Sequence, residues 1–72
     1  MARIEHRKLL GETIRAHREK VGLTQEALAE KAAVSAKYLG EVERGVVNVS
    51  VDVLVRVAKI LRTKVSALTR RF

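Results

Sequence analysis

Lys37, Glu41 and Arg44 follow one another at intervals of four and three residues. Side chains at these intervals share one side of an α-helix, so an ammonium, a carboxylate and a guanidinium would line a single polar face. An ammonium donates to guanine O6 or N7, and a carboxylate accepts from cytosine N4. This face therefore carries groups whose hydrogen-bonding chemistry suits base edges in the major groove of DNA.

Two short helices would position that face. Thr24 is a candidate N-cap for a helix from Gln25 to about Ala32, and Ser35 for a helix from Ala36 to Arg44. The apolar positions at helical spacing are Leu28, Ala29 and Ala32 in the first helix, and Leu39 and Val42 in the second. Helices this short are unstable alone and must pack against each other and a third element. Residues 24–45 thus predict a helix-turn-helix, whose second helix lies in the major groove.

The remaining sequence predicts three more helices. The first runs from about residues 4–7 to Val21, with Leu10, Ile14 and Val21 on its inner face. Residues 47–53 alternate apolar and polar side chains, as in a strand, but Ser50 could instead begin a helix. The helix is preferred, because a lone strand would have no partner. Its apolar face would comprise Val51, Leu54, Val57, Ala58 and Leu61, and a short fifth helix would span about residues 65–71.

Composition narrows the class of protein. The chain has 72 residues, no cysteine and a net charge of +7, which indicates one domain with an anionic partner or a solvated basic surface. Neither an apolar run long enough to span a membrane nor a signal-peptide core occurs, so we expect a cytoplasmic protein. His6 and His17 lack acidic or thiol partners at ligand or triad spacing. We therefore expect that the protein is not an enzyme and that it binds no metal, cofactor or small-molecule ligand.

Several short motifs resemble a known family. Thr24-Gln25, Leu28-Ala29, Val34-Ser35, Tyr38-Leu39, the run from Glu41 to Gly45, and Asn48, Ser50 and Leu54 are similar to the phage repressor/Cro-type (Xre-type) helix-turn-helix proteins. The resemblance implies an all-α, compact, five-helix lambda-repressor-like domain over residues 1–72. It also implies a two-fold dimer that binds palindromic operator DNA and regulates transcription.

Two functional subgroups stay open within that resemblance. Residues 38–45, followed by Asn48-Val49-Ser50, resemble the small controller proteins of restriction–modification systems. The alternative to DNA binding as the main function is a protein-interaction module, an antitoxin or co-regulator that acts mainly through protein–protein contacts. The family often has glycine at the turn between helices 2 and 3, where this chain has Ala33. A left-handed backbone there would cost about 1–2 kcal/mol.

Site residues follow from the helix faces and the resemblance. The predicted base contacts are Ala36, Lys37, Gly40 and Glu41, and the predicted phosphate contacts are Gln25, Ser35, Tyr38, Arg44 and Asn48. Alternatives stay open at four of these positions. Lys37 could bind phosphate or be solvated, Glu41 could be solvated or orient Lys37, and Gly40 and Tyr38 could serve packing instead.

Two further sets of residues have structural roles. The resemblance implies a salt bridge between Arg18 of helix 1 and Glu43 at the end of helix 3. Apolar residues in the last third exceed the apparent needs of a small core, which predicts a symmetric dimer contact on helices 4 and 5, about residues 50–71. Its predicted members are Leu61, Val65, Leu68 and Phe72, although the same residues could simply close the monomer core.

Overall fold

The computed structural model describes residues 5–72. Over these residues the chain forms five helices joined by short turns and loops, and no strand. The helices are α1 (Glu5–Lys20), α2 (Gln25–Ala32), α3 (Ala36–Arg44), α4 (Val51–Ile60) and α5 (Val65–Leu68). The predicted all-α architecture is confirmed. Residues 51–53 belong to α4, so the alternative of a strand over residues 47–53 is wrong. The fifth helix ends at Leu68, three residues before its predicted end.

Hydroxyl side chains begin three of these helices. Thr24 Oγ1, Ser35 Oγ and Ser50 Oγ accept hydrogen bonds from the backbone N–H groups of the residues three positions later, at 3.0, 2.9 and 3.1 Å. Each bond satisfies a donor that the first turn leaves without a partner, and each such cap contributes about 1 kcal/mol. The caps confirm the predicted starts of α2, α3 and α4.

The helix ends use left-handed backbone at four positions. Gly22 and Gly45 have φ of +81° and +76°, as expected for C-terminal glycines. Ala33 and Arg62 adopt the same region with φ of 60° and 58°, where a β-carbon is sterically disfavoured. The turn between α2 and α3 is therefore left-handed at alanine, the strained case considered from the sequence.

The hydrophobic core lies between the five helices, and each helix contributes at least one buried side chain to it. Ile14, Leu28, Leu39, Val57 and Leu68 are the largest fully buried side chains. Gly11 lets α1 approach α3, because a β-carbon at residue 11 would overlap the carbonyl oxygens of Val42 and Glu43. The absence of a side chain at residue 11 therefore sets the close contact between these two helices.

Two positions predicted to face inward do not. Val21 follows the end of α1 and is 44% exposed, and Val51 at the start of α4 is 73% exposed. Val53 packs against the core in its place. The apolar stripe of α4 is therefore rotated toward Val53, Leu54 and Val57, which leaves Val51 and Val55 at the surface.

The predicted dimer contact is wrong for two of its four residues. Leu61 and Leu68 are 2% and 0% exposed and belong to the monomer core, so neither can contact a second protomer. Val65 is half-buried, and Phe72 is 60% exposed beside His6, with ring centroids 5.8 Å apart. None of the five helices is long and apolar enough to cross a membrane.

Candidate nucleic-acid interface

The outer face of α3 presents charged side chains to solvent. The side chain of Lys37 is 86% exposed, and its Nζ lies 3.7 Å from Oε2 of Glu41, whose side chain is 27% exposed. Arg44 is exposed one turn further along the helix. The face therefore contains two cations and one partly shielded carboxylate, in the arrangement that the residue spacing predicts.

Two predicted base contacts occupy less accessible positions. Gly40 is buried, and a β-carbon there would lie 3.4 Å from Nη1 of Arg44 and 3.7 Å from Oε1 of Gln25. Both distances are ordinary van der Waals separations, so a β-carbon would fit beside Arg44 and Gln25, and a base contact at Gly40 stays a prediction. Ala36 is half-buried and packs against the core, which leaves only part of its methyl group for a base.

Gln25 at the first position of α2 is held toward α3. Its Nε2 donates a hydrogen bond of 2.9 Å to Oε1 of Glu43. An amide nitrogen has two N–H groups, so one remains to donate elsewhere. The first backbone N–H groups of α2 also lack partners within the helix, and such a terminus is suited to a phosphate oxygen.

A buried ion pair ties this site to α1. Arg18 donates from Nε to Oε2 of Glu43 at 2.6 Å and from Nη2 to Oε1 at 3.1 Å. Its Nη1 donates to the carbonyl of Leu23 at 2.9 Å. The side chains of Arg18 and Glu43 are 11% and 3% exposed, and the hydrogen bond to Glu43 raises the pKa of Arg18 above its ordinary value. The implied Arg18–Glu43 pair is present, and it fixes the end of α3 relative to α1 and α2.

The other predicted phosphate contacts surround α3. Ser35 is exposed, but its hydroxyl oxygen accepts the Tyr38 backbone N–H and so serves as a cap. Tyr38 is half-buried, and its hydroxyl donates to the carbonyl of Asn48 at 3.4 Å. The Asn48 side chain is exposed in the loop after α3. Tyr38 thus joins the start of α3 to the following loop.

Arg56 supports the turn between α2 and α3, a role that the sequence did not suggest. Its Nε donates a 3.0 Å hydrogen bond to the carbonyl of Ala32, immediately before the left-handed Ala33. The backbone N–H groups of Ala33 and Val34 donate to Glu30 and Ala29 carbonyls. These bonds satisfy the end of α2 where the strained alanine stands. Helical period alone shows Arg56 only as a surface cation.

Comparison with known proteins extends this description. A model of the helix-turn-helix family HTH_3 matches residues 14–68, more than half of the chain. The chain is 38% identical over 65 residues to the control protein C.SmaI of Serratia marcescens, covering 90% of this chain and 77% of that protein. It is 34% identical to the solved restriction–modification controller protein C.AhdI of Aeromonas hydrophila, with a TM-score of 0.83, covering 86% of this chain and 94% of that one.

Other relatives are longer. The chain is 43% identical over 58 residues to an HTH-type transcriptional regulator of Mycobacterium tuberculosis. It spans only 41% of that regulator's length, although 81% of this chain is aligned. Transcriptional regulators and control proteins, rather than enzymes, thus make up these matches. From the extent of the family match and the agreement in fold, the chain belongs to the helix-turn-helix family HTH_3.

Proposed function

We propose that this protein is a transcriptional regulator that binds double-stranded DNA in a sequence-specific manner, with α3 in the major groove. The observation that carries the proposal is the exposed polar face of α3, with Lys37 and Glu41 outward, set beside the start of α2. The buried network from Arg18 through Glu43 to Gln25 holds the two helices in one arrangement. Bases are read by α3, and phosphates by the start of α2 and by Arg44 and Asn48.

We propose further that two protomers associate through α4 and α5, and that the resulting dimer binds a palindromic operator. One recognition helix reads only a few base pairs, and a symmetric dimer places two of them about 34–36 Å apart. Val51 and Val55 are exposed on α4, and Val65 and Phe72 offer further apolar surface at the end of the chain. These side chains replace the buried Leu61 and Leu68 as candidate contacts.

The narrower proposal is a controller of a restriction–modification operon. The proteins C.SmaI and C.AhdI support it, because both match this chain over most of their own length. Under this proposal the protein binds upstream of genes for a DNA-modifying and a DNA-cleaving enzyme. Binding that maps to unrelated promoters would exclude this subgroup and leave DNA binding itself intact.

Selection of bound duplexes from a random pool tests the DNA proposal. We expect recovered sites with two inverted half-sites about one helical turn apart. Lys37→Ala should change the preferred bases, whereas Arg44→Ala should weaken binding to all sequences alike. No enrichment at low salt, together with tight binding to a protein partner, would favour the antitoxin or co-regulator alternative.

Sedimentation tests the dimer separately. Val51→Ser combined with Val55→Ser should yield monomers at concentrations where the unaltered protein is dimeric. Val46→Ser is the matched control, since Val46 is 58% exposed but lies outside α4 and α5. A monomer at every concentration for the unaltered protein would exclude the dimer.

A further inference from the structure

We infer that Lys37 and Glu41 act as one unit that reads a single G·C base pair in each half-site. The inference rests on the proposed function, because it requires α3 to lie in the major groove. Its starting point is that Nζ of Lys37 and Oε2 of Glu41 are 3.7 Å apart on the exposed face of α3. A donor and an acceptor are thereby presented side by side to the base edges.

A contribution to helix stability does not explain why Lys37 and Glu41 are paired. Lys37 precedes Glu41, the less favourable order for an i, i+4 pair along the helix. The Lys37 side chain is 86% exposed, and such surface pairs contribute little. A pair with so small a structural effect is free to exchange its partners for groups on a bound molecule.

Charge explains why the two side chains belong together at a DNA surface. A lone carboxylate on the face that approaches DNA is repelled by the phosphates. The ammonium of Lys37 neutralises the Glu41 carboxylate, so the pair approaches the duplex without net charge. A carboxylate can only accept hydrogen bonds, which restricts Glu41 to the base donors, cytosine N4 and adenine N6.

The order of groups on the base edges selects between these two donors. Across the major groove a G·C pair presents two adjacent acceptors, N7 and O6, and then the N4 donor. The ammonium of Lys37 can serve both acceptors while the carboxylate of Glu41 takes the donor, so every group is satisfied. An A·T pair places its N6 donor between N7 and O4. One cation and one anion then leave an acceptor without a donor, and such a group costs binding energy.

Selected duplexes provide the first experiment. The unaltered protein should require G·C at one position of each half-site, with about a tenfold preference over A·T. Lys37→Ala and Glu41→Ala should each relax the preference at that same position. Glu41→Gln preserves size but introduces an amide that can accept from adenine N6 and donate to N7, so it should also relax the preference for G·C. This variant guards against a folding defect in Glu41→Ala. Thermal melting of each variant accompanies the selection.

The matched controls come from α1. Arg15 and Glu19 form an exposed ion pair with the same i, i+4 spacing, at 3.2 Å. Glu19→Ala removes a carboxylate from such a pair, and Lys20→Ala removes a neighbouring exposed cation. Neither should change the preferred base at any position, although loss of a cation can lower affinity for all sequences.

A base analogue tests the contact at one atom. Replacing the selected guanine by 7-deazaguanine removes N7 and leaves the Watson–Crick pairing intact. The unaltered protein should bind this duplex several-fold more weakly, while Lys37→Ala should bind both duplexes equally. Equal loss in both proteins would mean that Lys37 does not contact N7, which overturns the proposed reading.

Three outcomes of the selection would overturn the inference while leaving the proposed function in place. These are a preference for A·T, no preference at the affected position, or relaxation at two different positions in the two variants. Absence of any enriched sequence, by contrast, would contradict the proposed function itself. The two failures are therefore distinguishable within one experiment.

Discussion

Arg18→Met would test how much the buried ion pair contributes to the fold. Methionine keeps much of the volume of arginine but removes three donated hydrogen bonds, two to Glu43 and one to the Leu23 carbonyl. The Glu43 carboxylate, 3% exposed, would keep one side-chain donor, Gln25 Nε2. Leaving a buried charge without its partner costs about 3–5 kcal/mol.

That cost is large for a domain of this size. About 1 kcal/mol shifts the melting temperature of a 60–100-residue domain by roughly 4–8 °C, so Arg18→Met should lower it by at least roughly 12 °C. Circular dichroism during heating and urea unfolding measure the change. Arg15→Met is the control, because the Arg15–Glu19 pair is exposed and should contribute less than about 1 kcal/mol.

The double variant Arg18→Met, Glu43→Leu separates the two parts of this cost. Removing both charges should restore part of the stability, because no unpaired carboxylate remains buried. A melting temperature for Arg18→Met within about 2 °C of the unaltered protein, against the shift expected above, would refute the reasoning. So would a double variant no more stable than the single one. The hydrogen bond to Glu43 raises the pKa of Arg18 above its ordinary value, so the guanidinium stays charged and its contribution to stability should persist into alkaline solution.

Three further changes test the backbone and the core. Ala33→Gly should raise stability by about 1 kcal/mol, because φ is 60° at this residue. The control Ala27→Gly lies within α2 and should lower stability. Equal effects of the two substitutions would exclude backbone strain at Ala33. Gly11→Ala should cost about 1–3 kcal/mol or more by separating α1 from α3, and an unchanged melting curve would contradict that contact. Leu68→Ala should cost about 2–5 kcal/mol without dissociating the proposed dimer, as calorimetry and sedimentation can show.

Local signals predicted the helices well because each boundary has its own chemistry. Thr24, Ser35 and Ser50 are caps that can be identified from residue type, and Gly45 ends α3 as a C-terminal glycine does. These effects act over three or four residues and need no knowledge of the tertiary structure. The charged face of α3 follows from the same helical period.

Packing between distant segments was less predictable. The period of α4 placed Leu61 on an apolar face without deciding between a dimer contact and the monomer core, and the structure buries it there with Leu68. Gly40 was predicted to contact a base because of its helix face, yet it is buried, and the Gln25 amide of α2 lies near the position that a β-carbon would take. The hydrogen bond from Arg56 to the Ala32 carbonyl joins residues 24 positions apart, and no local sequence pattern predicts such a contact.

The charge distribution separates affinity from base selection. Residues 25–43 carry a net charge of −2, so the rest of the chain supplies +9. Attraction to phosphates must therefore come mainly from cations outside residues 25–43, Arg44 among them, and it should weaken as salt rises. Under the proposed reading, an alignment that leaves the Glu41 carboxylate without a base donor costs binding energy, which discriminates against incorrect sites. A substitution at Arg44 or among the flanking cations should consequently change binding to every duplex, whereas one at Lys37 or Glu41 of α3 should change which duplex is preferred.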